Sequence, residues 1–241
     1  MESANCKRQK TVMVSFSGLD GAGKSTQIAN LQAALAAAGK RTRLLAFWDD
    51  VVVGCRYREG FVHKAYKSEK GIGAPGKPVE RRDKNVRRWY LTLIRHALYF
   101  ADAVSLFFVV ANSARECEVL IMDRYIYDEL ANLPLRNPLT RIYIRVIEAI
   151  VPRPTVAYLL DADPEEARAR KPEYPVEFMR KSRIAYKQLA LLLRTLTVIP
   201  PLPLNDALRA VERAFWLNTG LRNNATLRAV SHDDLSIAPA A

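Results

Sequence analysis

The chain alternates short β-branched, apolar runs with longer stretches whose apolar positions recur at helical spacing. Thr11-Val12-Met13-Val14-Ser15-Phe16 is continuous enough for a strand buried on both faces, and Gly18 closes it. From about Lys24, Ile28, Leu31, Leu35 and Ala38 share one helical face, with Gly39 as the stop. Arg43-Leu44-Leu45-Ala46-Phe47-Trp48 predicts a second strand, 119–122 a third, 155–160 a fourth and 196–199 a weaker fifth. Between the second and third strands a helical stretch runs from about 83 to 115, long enough to bend or break once. Asn137-Pro138 opens another helix, limited by Pro152. Asp163-Pro164-Glu165-Glu166 repeats that start signal and adds two acids where the helix dipole favours them. Helices over about 176–193 and 205–216 complete the set.

Strands alternating with helices imply a mainly parallel sheet covered on both faces, a three-layer α/β domain with five strands. No internal repeat or linker divides the chain. The domain is expected over 11–219, after an N-terminal extension of 1–10 and before a tail, 220–241, without clear period. One irregular insert, 49–82, carries Gly54, Gly60, Gly71, Gly73 and Gly76.

Composition narrows the partners. Of 241 residues, 49% are hydrophobic and 26% charged, a globular balance that excludes disordered and collagen-like chains. A net charge of +12 calls for an anionic partner. Cys6, Cys55 and Cys117 are too few and too scattered for a disulfide framework or zinc site, so a reducing, cytoplasmic setting is expected. The first residues lead into no apolar run of the leader type. The most apolar window, 91–111, contains Arg95, His96 and Asp102, each costly in hydrocarbon, and is read as a buried helix instead of a membrane span.

Gly18-Leu19-Asp20-Gly21-Ala22-Gly23-Lys24-Ser25 matches G-x-x-x-x-G-K-[ST] between a predicted strand and a predicted helix, the context the motif needs. Glycines let backbone N–H groups converge on phosphate oxygens, and the helix N-terminus favours negative charge. Lys24 is then the group that neutralises the β and γ phosphates, Ser25 the oxygen for Mg²⁺, and Thr26 a cap or α-phosphate contact. Val119-Leu120-Ile121-Met122-Asp123 ends in a carboxylate suited to hydrated Mg²⁺; Asp161 competes for that role but is more simply a cap. Arg124 either holds a substrate phosphate or partners a neighbouring acid. Arg168 and Arg170, with Arg180, Lys181 and Arg183, fall in or near a segment of about 163–176, punctuated by Pro172 and Pro175, that reads as a lid closing over the transferred group.

Together, the stretch from Phe16 to Gln27, Met122-Asp123-Arg124-Tyr125, Asp161-Ala162-Asp163-Pro164-Glu165 and Arg183-Ile184-Ala185-Tyr186 resemble thymidylate kinases in order and spacing, over about 11–215. The resemblance implies a five-stranded P-loop kinase core, ATP and Mg²⁺, and transfer of the γ-phosphate to a nucleoside monophosphate. It places Asp20 near the acceptor's sugar and Asp123 and Arg124 at the transferring phosphates. With Gly21-Ala22 in the cradle and no arginine there, it draws the catalytic arginine from the lid, where Arg168 and Arg170 stand. It also implies dimers paired through helices.

The acceptor half departs from that pattern. Phe47-Trp48-Asp49-Asp50-Val51 replaces the usual Arg-Glu-Pro-Gly. Phe100 keeps an aromatic on the long helix, but Asp102 or Ala103 stands where an arginine is usual, and Ile199-Pro200-Pro201 replaces Asp-Ala near adenine. Asp49 and Asp50 suit a base for a hydroxyl acceptor or a loop start, while Arg87, Arg88, Arg95 and His96 favour a phosphate-bearing one, with Arg95 the leading candidate. Three readings stay open: a nucleotide kinase with thymidylate as default acceptor, a kinase of a nucleoside or other small hydroxyl compound, and a non-catalytic nucleotide-binding module. Segment 56–88 holds eleven Lys or Arg against four Asp or Glu, a net +7 on the expected acceptor side, which favours a small polyanion over nucleic acid or membrane.

Overall fold

A computed structural model describes residues 11–53 and 89–221. Strands β1 (Val12–Gly18), β2 (Thr42–Ala46), β3 (Val119–Asp123), β4 (Val156–Leu160) and β5 (Leu196–Ile199) form one sheet in the order β2-β3-β1-β4-β5. Every pairing is parallel. Helices α1 (Lys24–Ala37), α2 (Trp89–Ser113), α3 (Ile126–Leu130), α4 (Pro138–Ile150), α5 (Pro164–Arg170), α6 (Val176–Leu193) and α7 (Leu204–Thr219) cover both faces. The expected three-layer α/β architecture is therefore present.

Alternation along the central strands sets the two cores. Val12, Val14 and Phe16 face Leu31 and Leu35 of α1 and Val211 and Phe215 of α7. Met13, Leu120 and Met122 face the opposite layer, which includes Tyr99 and Leu106 of α2 and Leu189 of α6. Strands buried on both faces are mostly apolar, as β3 and β4 are; β1 follows the same pattern except for its buried Ser15 and Ser17.

Three expectations need correction. The second strand stops at Ala46, because Phe47–Val51 turns as a π-helix closed by Val52 N–H donating to the Phe47 carbonyl at 3.1 Å. Asp50 Oδ2 fixes that turn by accepting the Ala46 N–H at 2.7 Å. Helix α2 is unbroken from Trp89 to Ser113, since no proline or glycine interrupts it. Nor is α2 buried all round. Leu93–Ser113 is long and apolar enough to cross a membrane, but only 28% of its most apolar stretch is buried, and Phe107 and Phe108 are 50% and 65% exposed. The basic segment 56–88, most of the insert, the N-terminal extension and the tail beyond 221 lie outside the described residues.

Candidate active site

The cradle is the turn from β1 into α1, at the carboxyl edge of the sheet where parallel α/β folds bind ligands. Gly21 (φ 81°) packs directly on the carbonyl of Ala167 in α5, so any side chain there would drive α5 off the cradle. Gly23 (φ 88°) is the left-handed N-cap of α1, and a Cβ built on it meets no atom within 4 Å. The loop thus touches α5 at one glycine and stays open at the other.

Lys24 is buried, and its ammonium donates to the carbonyls of Gly18 (2.9 Å) and Leu19 (2.8 Å). Burial, helped by nearby Arg124, lowers its pKa to about 8 against the opposing pull of Asp20, Asp128 and Asp123. Beside it, Asp20 pairs with Arg124. Burial pushes the Asp20 carboxyl up, but Arg124, Lys24 and Lys171 outweigh it and hold the group below the usual range.

Arg124 follows β3 directly and adopts φ 66°, a left-handed conformation that residues other than glycine rarely take. Its N–H donates to the Phe16 carbonyl (3.0 Å), and its guanidinium lies between Asp20 and Asp128, the latter at 3.4 Å. Burial works against its charge, but Asp128 and Asp20 more than compensate and hold the proton firmly. Asp128 is the centre of this cluster. It accepts from Ser17 Oγ (2.7 Å), Tyr186 Oη (2.7 Å), the Tyr125 N–H (3.1 Å) and Arg124. Of the two expected roles of Arg124, the structure shows the partnering of neighbouring acids; the residue also lines the smaller cleft described below.

Asp123 ends β3 between Phe16 of β1 and Ala46 of β2. Its Oδ1 is buried and has no hydrogen-bond partner. A carboxylate oxygen in that condition is costly unless a ligand completes it. Asp161, its competitor, is already occupied: Arg183 grips it at 2.6 and 2.9 Å and Lys187 reaches it at 3.1 Å. Burial raises the Asp161 pKa, and these cations lower it further than burial raises it. Asp161 is no helix cap either; the cap of α5 is Asp163, which accepts from the N–H groups of Glu165 and Glu166.

The described residues therefore suit Mg-nucleotide in three respects: an open glycine cradle, a lysine at its base, and a buried carboxylate oxygen awaiting a partner. Ser25 and Thr26 are exposed at the start of α1, and Thr26 makes no cap bond. Among the described residues no group of three metal-binding side chains exists.

Two clefts flank the cradle. The larger, about 530 Å³, runs from Ala22 along the ends of β4 and β5 to Pro200-Pro201-Leu202-Pro203. The smaller, about 250 Å³, lies between Asp20 and Arg124 on one side and Tyr174, Phe178 and Tyr186 on the other. On α5, Arg168 has a buried Nε without a partner, whereas Arg170 donates to the Glu166 carbonyl (3.3 Å) and lines the larger cleft. Arg180 ties α5 to α6 by binding Glu165 as well as Glu177.

Other candidates lie apart. Asp49 is exposed on the π-turn, while Asp50 is engaged in it. Arg95 is half-buried on α2 near Tyr99, and Phe100 is 46% exposed; neither lines these clefts. Asp102 is fully buried and accepts the Val53 N–H at 3.0 Å, so it anchors the start of the insert. Sequence reasoning assigned no role to Asp128, Tyr174 or Phe178; the aromatic pair, spaced i and i+4 beside the lid prolines, was the available signal. Compared with known proteins, the chain matches no family model and no curated protein.

Proposed function

We propose that this chain is a Mg-dependent phosphotransferase that moves the γ-phosphate of ATP to a small acceptor, by default a nucleoside monophosphate of the thymidylate type. The observation that carries the reading is the cradle itself, set between two clefts with Lys24 at its base and the unpartnered Asp123 oxygen beside β1. The larger cleft takes the donor nucleoside and the smaller one the acceptor. Lys24, released from its two carbonyls, meets the donor phosphates; Ser25 and Asp123 hold the metal, which neutralises developing charge when bound. Arg124, fixed from both sides, orients the acceptor, and the free Nε of Arg168 makes it the better placed lid arginine. Helix α5, already against Gly21, excludes water.

One observation favours a second acceptor class. The Arg124 guanidinium is compensated by two carboxylates before any ligand arrives. A neutral hydroxyl compound such as a nucleoside suits that balance, with exposed Asp49 as the candidate base. ADP release against a panel of nucleoside monophosphates, nucleosides and sugars decides between them. Turnover with thymidylate supports the default, and turnover with thymidine but not its monophosphate moves the acceptor to the hydroxyl class. Silence across the panel, with ATP still bound, overturns the enzymatic reading.

The partner surface proposed alongside is a second copy of the chain. Exposed Leu93, Val104, Phe107 and Phe108 on α2, beside Leu139, Ile142 and Val146 on the neighbouring α4, form an apolar face unusual for a monomer. Sedimentation should give twice the 27.2 kDa chain mass, and Phe108→Glu should return it to the monomer. A monomeric wild type removes this assignment.

A further inference from the structure

The larger cleft has a cradle end, lined by Ala22 and Gln27, and a far end at the turn from Pro200 to Pro203. A nucleotide laid along it with its phosphates on the cradle brings its sugar to Ala22 and Gln27 and its base toward the prolines. Gln27 lies in the first turn of α1, two positions after Ser25, and its N–H is spent on the Gly23 carbonyl at 3.0 Å. Its side chain is another matter. The residue is only 4% exposed, lines the cleft, and holds a buried Oε1 that has no hydrogen-bond partner.

A buried amide oxygen in that state carries a desolvation cost that a ligand can recover. The other polar side chains around the cleft are differently placed. Asp161 is held by Arg183 and Lys187, Asp163 caps α5, and Glu166 and Arg170 are exposed to solvent. The chemistry of the amide narrows its partner. It accepts at one end and donates at the other, and a half-turn about its last bond exchanges the two. A phosphate oxygen only accepts, so it cannot satisfy the orphan oxygen. A hydroxyl both donates and accepts, and therefore complements whichever end meets the cleft. Next to the phosphates of a nucleotide, the hydroxyls are those of the ribose.

We propose that Gln27 is a specificity-determining residue of the donor site: its amide binds a ribose hydroxyl, so the cleft selects a donor with an intact ribose over one deoxygenated at the 2′ or 3′ position. This rests on the donor-site reading above, and the test keeps the two apart. Full-length chain in Mg²⁺, without acceptor, is titrated with ATP, 2′-deoxy-ATP, 3′-deoxy-ATP and GTP, and binding is read by calorimetry. One of the deoxy forms should bind about fivefold more weakly than ATP, the usual weight of one such hydrogen bond. If both bind within about threefold of ATP, the inference is overturned while the donor site stands. If ATP itself does not bind, the donor-site reading fails and the inference with it. These comparisons use the wild type alone, so they hold whatever a substitution does to folding. Gln27→Met, which keeps the length of the stem and removes the amide, should weaken ATP about fivefold and bring the deoxy form within about threefold of it. It should also melt no lower than the wild type, because the orphan oxygen has gone. A sugar preference that survives in this variant overturns the assignment to Gln27, and a lowered Tm beside it marks the amide as a structural group. An ATP to GTP preference that Gln27→Met abolishes, with no sugar preference in the wild type, places the amide on the base and likewise overturns the inference.

Discussion

Replacing Lys24 with methionine should lower phosphoryl transfer by about 10³-fold or more, the scale seen when a preorganised charge is withdrawn from a phosphate or oxyanion site. Methionine keeps the length and packing of the stem, so the change removes the charge and its bonds to Gly18 and Leu19 but little volume. The same substitution should leave a distinct mark on stability. The folded Lys24 has a pKa near 8 against 10.5 for a free lysine, with burial as the main cause. Between those two values the unfolded chain holds more protons than the folded one, so wild-type stability rises with pH across that window. A difference of that size corresponds to about 3 kcal/mol. Below pH 8 the ammonium is charged in both states and the penalty is fully present; above 10.5 it has gone. Melting curves from pH 7 to 11 should therefore show the wild type gaining on Lys24→Met, with most of the gain between pH 8 and 10.5. Nucleotide phosphate at the site restores the charged form, so binding above pH 8 should take up a proton. Parallel pH profiles for the two proteins would sink this account of Lys24, and undiminished ATP consumption by the variant would sink its role in transfer.

The cradle was legible in the sequence because its chemistry is local. Its glycines, lysine and serine sit within one turn, and the flanking strand and helix are short-range patterns. The sheet was legible for a related reason: strands buried on both faces leave mostly apolar runs, broken in β1 only by small serines. Phe47 and Trp48 misled because their β propensity is real, but Asp50 caps back onto Ala46 and turns the chain before they can pair. Asp161 and Asp163 differ by two positions in one motif, and only the fold tells them apart: Arg183 and Lys187 of α6 hold Asp161, while Asp163 caps α5 and meets Arg183 only at 3.8 Å. The long helix misled through composition. Its apolar residues exceed what one face can bury, and sequence does not say what covers the rest. Arg124 in a left-handed conformation is invisible to propensity, since the strain is sustained by partners drawn from elsewhere in the chain.

Asp128 is where that long-range part of the site concentrates, and its loss should be the most damaging to the fold. Its carboxylate is buried and receives Ser17 from 111 residues away and Tyr186 from 58, besides Tyr125 and Arg124 next to it. Three of these donors belong to β1, α6 and the start of α3, so one side chain ties the sheet to two helices while setting the arginine. Asp128→Ala leaves the hydroxyls, the N–H and half of the Arg124 guanidinium without an acceptor. A buried charge deprived of its partner typically costs about 3–5 kcal/mol, and for a domain of this size that lowers the Tm by about 10 °C. Asp128→Asn is the milder probe. It keeps one acceptor oxygen, but its NH₂ must face either Arg124 with Tyr186 or Ser17 with the Tyr125 N–H. The expected result is a smaller loss of Tm and a rise in the acceptor KM, because Arg124 is released from one of its two carboxylates while Lys24 and the donor cleft are untouched. Tyr186→Phe combined with Asp128→Asn should be less than additive, since both act on one hydrogen bond. An Asp128→Ala protein melting within about 2 °C of wild type would remove the carboxylate from the centre of the network. A KM for the donor that moves as much as that for the acceptor would show that Asp128 serves the fold at large and does not position Arg124.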